Sequence, residues 1–331
     1  MGLPTFIDRY IHSGAHTVDD YFAKFLGLIQ QADLSIFHKF VPPPSGGGHQ
    51  FLRTFWQECI NFGLTLENNA ISRTTRSCLL NSFNFDTHRL RRLHRCSVLY
   101  VHRVDGPIDT YRGSNDGIDR KISEINREFA DKTIFQSHYS LEKHQSLGME
   151  FCNPVIIHNA INESIFNSKN RLPFAQNRKI RLIASSWSDN PNKGSSVYTW
   201  LDTHLDWNRF EFTFVGRSPV EFNNIKMIAP VTPDRMANYF RQSDIYLTAS
   251  KFDPCSNSLI EALGCGIPAI FLKSGGHPEL VGDAGLGFDF AEEIPQLLHQ
   301  VVDQYKVFQS NIRIPSIQST TLQYLDVLEL R

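Results

Sequence analysis

The sequence has no apolar run close to the roughly 18 residues that a membrane-spanning helix needs, so a helical integral membrane protein is not expected. Metal-ligand spacing is missing as well. The six cysteines, Cys59, Cys78, Cys96, Cys152, Cys255 and Cys265, are scattered, with no CxxC pair and no histidine at zinc-ligand distance. In a chain of 331 residues this reads as reduced thiols in a cytoplasmic protein, not a disulfide scaffold. The opening residues, MGLPTFIDRYIHSG, carry neither a basic start nor an apolar core, which argues against a secretory leader. Phe6 stands where N-myristoylation wants Ser or Thr. An excess of one charge is also absent: the formal net charge is −1. Nucleic acid is therefore not expected as a partner, and neither is an anionic surface as the main one.

What is present is an ordinary globular composition, 41% hydrophobic and 20% charged, in a chain long enough for two domains of about 100–200 residues. Residues 17–31 form a periodic helical stretch, with Thr17 as cap and Val18, Phe22, Phe25, Leu26 and Ile29 on one face. Residues 1–33 are thus read as an N-terminal helical extension. A first α/β run follows over 34–166, with strands at 34–40, 64–67, 78–85, 97–104, 132–137 and 154–159. The polar, proline-broken segment 167–178 is the linker. A second run over 179–331 has strands at 179–186, 211–216, 225–229, 244–250 and 268–272, and a helix starting after Thr232 with Pro233 at its first position. The strands are apolar throughout, the pattern of parallel strands covered on both faces. The fold class is therefore α/β: two Rossmann-like, doubly wound parallel-sheet domains facing a central cleft, with ligands at the carboxyl ends of the strands.

The residues with chemistry follow strands. DPCSNSLIEALGCGIPAIF places Asp253 before a helix and Glu261 about two turns inside it, with Ser256 or Asn257 as cap. Two carboxylates so placed, with free N–H groups of a helix start between them, suit an extended ligand rich in hydroxyls and phosphate. NPNKG sets Lys193 and Gly194 at another helix start, where a cation adds to the positive end of the dipole. SGG, in LKSGGHPELVG, supplies Gly275 and Gly276, and PPPSGGG supplies Gly47 and Gly48 after the first strand.

Together these motifs resemble the GT-B glycosyltransferases of family 4, also called glycosyl transferases group 1, whose signature is Glu, seven residues, Glu-Ala, then Gly-x-Pro before an apolar strand. The resemblance runs over roughly residues 34–290 and is tightest after residue 180. It implies a retaining, metal-independent transferase of the hexosyltransferase type. Such an enzyme moves a sugar from a nucleoside-diphosphate sugar to a saccharide or lipid-linked acceptor in cell-surface polysaccharide, lipopolysaccharide or glycoconjugate synthesis, with no cofactor. It assigns Asp253 and the backbone at Ser256–Asn257 to the donor sugar and Glu261 to the ribose. Lys193 and Gly194 fall to the diphosphate, as do Gly47, Gly48, Gly275 and Gly276. In VHRVDGP, His102 and Asp105 face the acceptor, with His102 as a catalytic candidate. The sequence departs from the family twice. Asp253 replaces Glu, and SSWS stands where a Gly-Arg pair is usual, leaving Arg217 as the substitute cation. A sugar-nucleotide-binding protein without activity and a GT-B epimerase are the rival readings. Finally, HRLRRLHR puts four arginines, from Arg89 to Arg95, in eight residues, a patch suited to peripheral contact with an anionic membrane face.

Overall fold

The computed structural model describes residues 31–42 and 47–331. The helix expected over 17–31 lies outside the described residues apart from Gln31, as does the 43–46 portion of the first glycine loop.

Each half of the chain forms one six-stranded sheet, and every strand pair is parallel. The first sheet has the order β2-β1-β3-β4-β5-β6, made by Leu34–Phe37 (β1), Leu66–Asn68 (β2), Ser77–Asn81 (β3), Leu99–Val104 (β4), Lys132–Phe135 (β5) and Pro154–Ile156 (β6). The second has the order β12-β11-β10-β7-β8-β9. Its strands are Ile180–Ser186 (β7), Phe210–Gly216 (β8), Lys226–Ile228 (β9), Ile245–Thr248 (β10), Ala269–Leu272 (β11) and Gly285–Phe288 (β12). The central strands β1, β3, β10 and β11 are buried at every position, as their mostly apolar sequences require. The last strand, GLGF, was not foreseen. It is short and half glycine, and its pairing with β11 from Ala269↔Gly285 onward is what makes it a strand.

Both orders contain a switch point where neighbouring crossovers leave in opposite directions, and ligands bind outside the strand ends there. In the second sheet it lies between β7 and β10, so the loops after Ser186 and Thr248 open side by side. In the first it lies between β1 and β3. The first-sheet helices used below are α1 (Gly47–Asn61), α2 (Thr87–Leu93), α3 (Ile108–Arg112), α4 (Ile118–Phe129) and α5 (His138–Ser146). Those of the second half are α6 (Ser195–His204), α7 (Pro233–Arg241), α8 (Asn257–Gly264), α9 (His277–Val281), α10 (Ile294–Asp303) and α11 (Tyr305–Ser310).

The final helix, α12 (Ile317–Val327), corrects the boundary that gives all of 179–331 to the second domain. Its Tyr324 and Leu325, with Leu328 and Leu330 beyond it, join the core of the first sheet, beside Leu34, Ile36, Phe51 and Phe55. The Tyr324 ring lies 5.7 Å from Phe51 and 5.0 Å from Phe55. The chain thus crosses back to bury an apolar face that the second sheet, already covered by α6, α10 and α11, has no room for. No helix among the described residues is long and apolar enough to cross a membrane.

Candidate active site

A cavity of about 390 Å³ lies between the two sheets' carboxyl ends and is lined from both sides. The second domain contributes Ser185 to Ser188, Lys193, Asp253, Ser256, Asn257 and Glu261. The first contributes Gly47, Gly48, Asp105, Gln136, Tyr111 and Arg112. A larger hollow of about 570 Å³ sits at the opposite, outer side of the second sheet, lined by Arg181, Phe210, Lys226 and neighbours, and none of the acid or glycine motifs reaches it.

Lys193 enters through a short 3-10 turn, Pro191–Lys193, that begins after Asn190 caps Asn192. Gly194 follows at φ 89°, a left-handed conformation, and a side chain there would meet Ala249 at 2.4 Å. The lysine ammonium donates to Asp253 Oδ2 at 2.9 Å and lies 4.7 Å from the centre of the Tyr111 ring. The two side chains are only 17% and 11% exposed. Burial is the largest influence and lowers the lysine pKa, but the facing Asp253 carboxylate and the Tyr111 hydroxyl together outweigh it and hold the ammonium above its ordinary value. For Asp253, burial raises the pKa, and Lys193 with smaller help from His277 and the Cys255 main chain more than offsets this, so the carboxyl titrates below its usual value.

Gly275 and Gly276 do something different from the expected approach to phosphate. Neither lines the cavity. A Cβ on Gly275 would stand 2.2 Å from Asp253 O, one on Gly276 2.2 Å from Pro254 O, and the Gly276 N–H donates to Asp253 O at 2.9 Å. The glycine pair therefore seats the Asp253–Pro254 backbone. Gly47 packs across the cleft in the same way: its missing Cβ would lie 2.4 Å from Asn257 Nδ2, while Gly48 has open space.

Glu261 sits one helical stretch beyond Asp253. Among the described residues its carboxylate makes no hydrogen bond or ion pair, and burial with no cation to offset it pushes its pKa up to about 8. Apolar Met236 and Pro233 line that end of the cavity with it, and Trp187, from the SSWS that replaces Gly-Arg, lines the cavity too.

Two further sequence candidates leave the site. His102 is fully buried in β4: its Nε2 donates to Ser82 O at 2.8 Å and its Nδ1 accepts from Asn126 at 3.2 Å. Burial depresses its pKa to about 4, so it is a neutral structural residue with both ring nitrogens occupied. Arg217 is exposed beyond β8 and does not line the cavity. The additional cation is Arg112, which reaches the cleft from α3 of the first domain. Asp105 does line the cavity, held by Arg103 at 2.9 Å and by Gln136.

Arg103 was missed, though it is the hub of the first-domain wall. It is wholly buried, donating to Tyr324 at 3.1 Å, Asn81 at 2.8 Å, Asp105 at 2.9 Å and Asn159 at 2.9 Å. Asn159 passes the connection on, donating to Asn257 at the start of α8 at 3.2 Å. Tyr111 and Asn192 add a second bridge, through Asn192 Nδ2 to Tyr111 O at 2.9 Å. Only the charged pattern of HRVD hinted at any of this. The basic run on and just after α2 is largely committed within the protein: Arg91 pairs with Glu128, Arg89 donates to Asn69 O, and Arg95 donates to Ser72 O and Ile71 O.

Residues 222–306 match the family model of glycosyl transferases group 1, a span that contains Asp253, Glu261 and both glycines but stops short of Lys193. Among solved structures, the chain is similar to sucrose-phosphate synthase from Thermosynechococcus elongatus, with TM-score 0.73, 12% identity, and 91% of this chain and 98% of that one covered. It is similar to Anabaena HepE in complex with UDP and glucose, with TM-score 0.66, 13% identity, and coverage of 90% and 100%. A glycosyltransferase from Rickettsia africae has TM-score 0.62, 14% identity, and coverage of 89% and 97%. No curated protein sequence matches the chain. Two facing parallel sheets, a cleft at their switch points and these likenesses together identify a protein of the GT-B fold whose residues 222–306 carry the glycosyl transferases group 1 sequence.

Proposed function

We propose that the protein is a retaining glycosyltransferase that moves a sugar from a nucleoside-diphosphate sugar to an acceptor hydroxyl, in the synthesis of a saccharide or glycoconjugate. The observation that carries this reading is the convergence of Lys193, Asp253 and Glu261 in one cavity that the opposite domain closes with Asp105, Tyr111 and Arg112. The roles follow from the chemistry of each group. Glu261, with no protein partner, accepts from the ribose diol. The first N–H groups of α8 and the Lys193 ammonium meet the diphosphate, with Arg112 adding charge from the other side. Asp253, already anchored by its glycine-seated backbone, accepts from a hydroxyl of the donor sugar.

In this reading Lys193 exchanges partners as the donor enters: its charge passes from Asp253 to the phosphate, and Asp253 turns to the sugar. Among the described residues the carboxylates of the cavity are Asp105, Asp253 and Glu261, and all three are assigned to binding or anchoring, which leaves none of them as a covalent nucleophile. Retention then proceeds by front-face displacement: the acceptor oxygen bonds to the anomeric carbon as the bond to diphosphate breaks, and the departing phosphate oxygen takes the acceptor proton. The protein's share is positioning and stabilising the phosphate charge, for which lysine replaces a metal. Asp105 marks the acceptor side. Peripheral contact with a membrane through Arg89–Arg95 is a minor part of the proposal, because most of those guanidinium groups already serve protein acceptors.

The test is slow hydrolysis of a panel of nucleoside-diphosphate sugars without acceptor, starting with UDP-glucose. One donor should be hydrolysed with retention at the anomeric carbon. Tight binding of a donor with no turnover, alone or with simple sugar acceptors, would make the protein a sugar-nucleotide binder instead.

A further inference from the structure

Outside the cleft, three side chains that are far apart in sequence meet on one oxygen. His138 opens α5 of the first domain, His158 follows β6, and Glu279 lies in α9 of the second domain. His138 Nδ1 stands 3.1 Å and His158 Nε2 3.0 Å from the same Glu279 oxygen, Oε2. One ligand atom of each residue lies within 4.8 Å of the other two. The second Glu279 oxygen, Oε1, is held by the Tyr139 N–H at 3.1 Å, so the carboxylate is oriented by main chain. The His138 main-chain N–H also donates to Oε2, at 3.0 Å. His138 is 69% exposed and leaves the group open to solvent on one side.

We propose that His138, His158 and Glu279 form a divalent-metal site of the zinc class that ties the two domains together. Two imidazoles and one carboxylate are the donor set that a borderline-soft first-row ion prefers, and solvent at His138 supplies a fourth ligand. The approach of each imidazole nitrogen to Oε2 is close to the separation of neighbouring ligands around such an ion, so binding asks for little movement. The ion replaces the two imidazole N–H hydrogens that now point at Oε2, and both rings bind as neutral imidazoles. The Tyr139 N–H continues to hold Oε1, as an outer-shell support. The position gives the site a consequence. Glu279 comes three residues after Gly276, whose α-carbon packs against Pro254 O and near Ser137 Cβ, the residue before His138. The metal would therefore lock the turn that seats Asp253 against the first domain, as a structural clamp outside the chemistry.

The experiment is a zinc chloride titration of the metal-stripped full chain, by calorimetry and by competition with a chromogenic chelator, with thermal melting in parallel. One zinc per chain is expected. His138→Ala and His158→Ala should each weaken binding by about 10-fold or more. Zinc should raise the melting temperature of the wild type and leave both variants where they were, because only a ligand that binds the folded state stabilises it. His138 is exposed, so its variant tests the site without threatening the fold. No saturable zinc binding by the wild type, or binding by both variants as tight as the wild type's, would overturn the proposal and leave a hydrogen-bonded clamp in its place.

Discussion

The two walls of the cleft are built by opposite strategies. The second-domain wall is local: Asp253, Ser256, Asn257 and Glu261 come from one loop and one helix, and Gly275–Gly276 seats that loop from the next strand end. The first-domain wall is distributed. Asp105 is held by Arg103, which is held by Asn81, Asn159 and Tyr324, the last of them 221 residues away in the chain. The local wall leaves its carboxylates available to a ligand, one paired with a movable lysine and one unpaired. The distributed wall spends almost all of its polar groups on itself. The difference teaches that, in the proposed reading, the second-domain wall offers the groups that meet the ligand, while the facing side supplies shape and rigidity.

The sharpest way to break this contrast is at Lys193. Lys193→Ala should cut turnover by about two orders of magnitude, the loss of one charge partner in the transition state. It should also cost stability, of the order of 3 kcal/mol, because a buried carboxylate loses its cation. Asp253 titrates below its ordinary value when paired. The pair therefore stabilises at neutral pH, and that contribution is lost in acid as the carboxyl protonates. The variant should lack this acid-side loss in a denaturation series against pH. Adding Asp253→Asn should restore stability and leave activity low. Full activity in a folded Lys193→Ala protein would remove the phosphate role.

The opposite wall should respond in stability before chemistry. Arg103→Leu strands Asp105, Asn81 and Asn159 together and should cost about 3–5 kcal/mol in chemical denaturation, as for one partner removed from a buried pair. Tyr324→Phe removes one neutral hydrogen bond and should cost about 1 kcal/mol. Equal effects from the two would mean that Arg103 is not the hub.

A finer distinction lies within the donor wall. Glu261→Gln should weaken binding of a nucleoside diphosphate, whereas Asp253→Asn should leave that affinity near normal and impair turnover of the full donor. Wild-type affinity should strengthen as pH rises through about 8, because the ionised Glu261 carboxylate is the better acceptor for ribose hydroxyls. Glu261→Gln should flatten that slope in calorimetric titrations. If both variants lost nucleotide affinity equally, the division between sugar and ribose would fall.

The amino-acid sequence by itself determined the two parallel sheets and the loop-helix unit that carries Asp253 and Glu261. Apolar strand runs announce burial on both faces, and residues within one loop-helix unit keep their relative placement whatever the rest of the chain does. Asp253 and Glu261 could be read together for that reason, whereas Lys193, after another strand 60 residues earlier, meets Asp253 only because β7 pairs with β10. Only the tertiary structure decided the rest. His102 and Arg103 are neighbours on one strand, yet the first is sealed into a neutral hydrogen-bond network and the second gathers groups from both ends of the chain. Gly275 and Gly276 could be assigned to phosphate or to backbone only once the Asp253 carbonyl lay beneath them. Arg112 in place of Arg217, α12 returning to the first sheet, and the meeting of His138, His158 and Glu279 depend on crossovers that bring distant segments within a few ångströms. Local periodicity carries no record of such contacts, because the energy that makes them comes from burying surfaces that meet only after both sheets have formed.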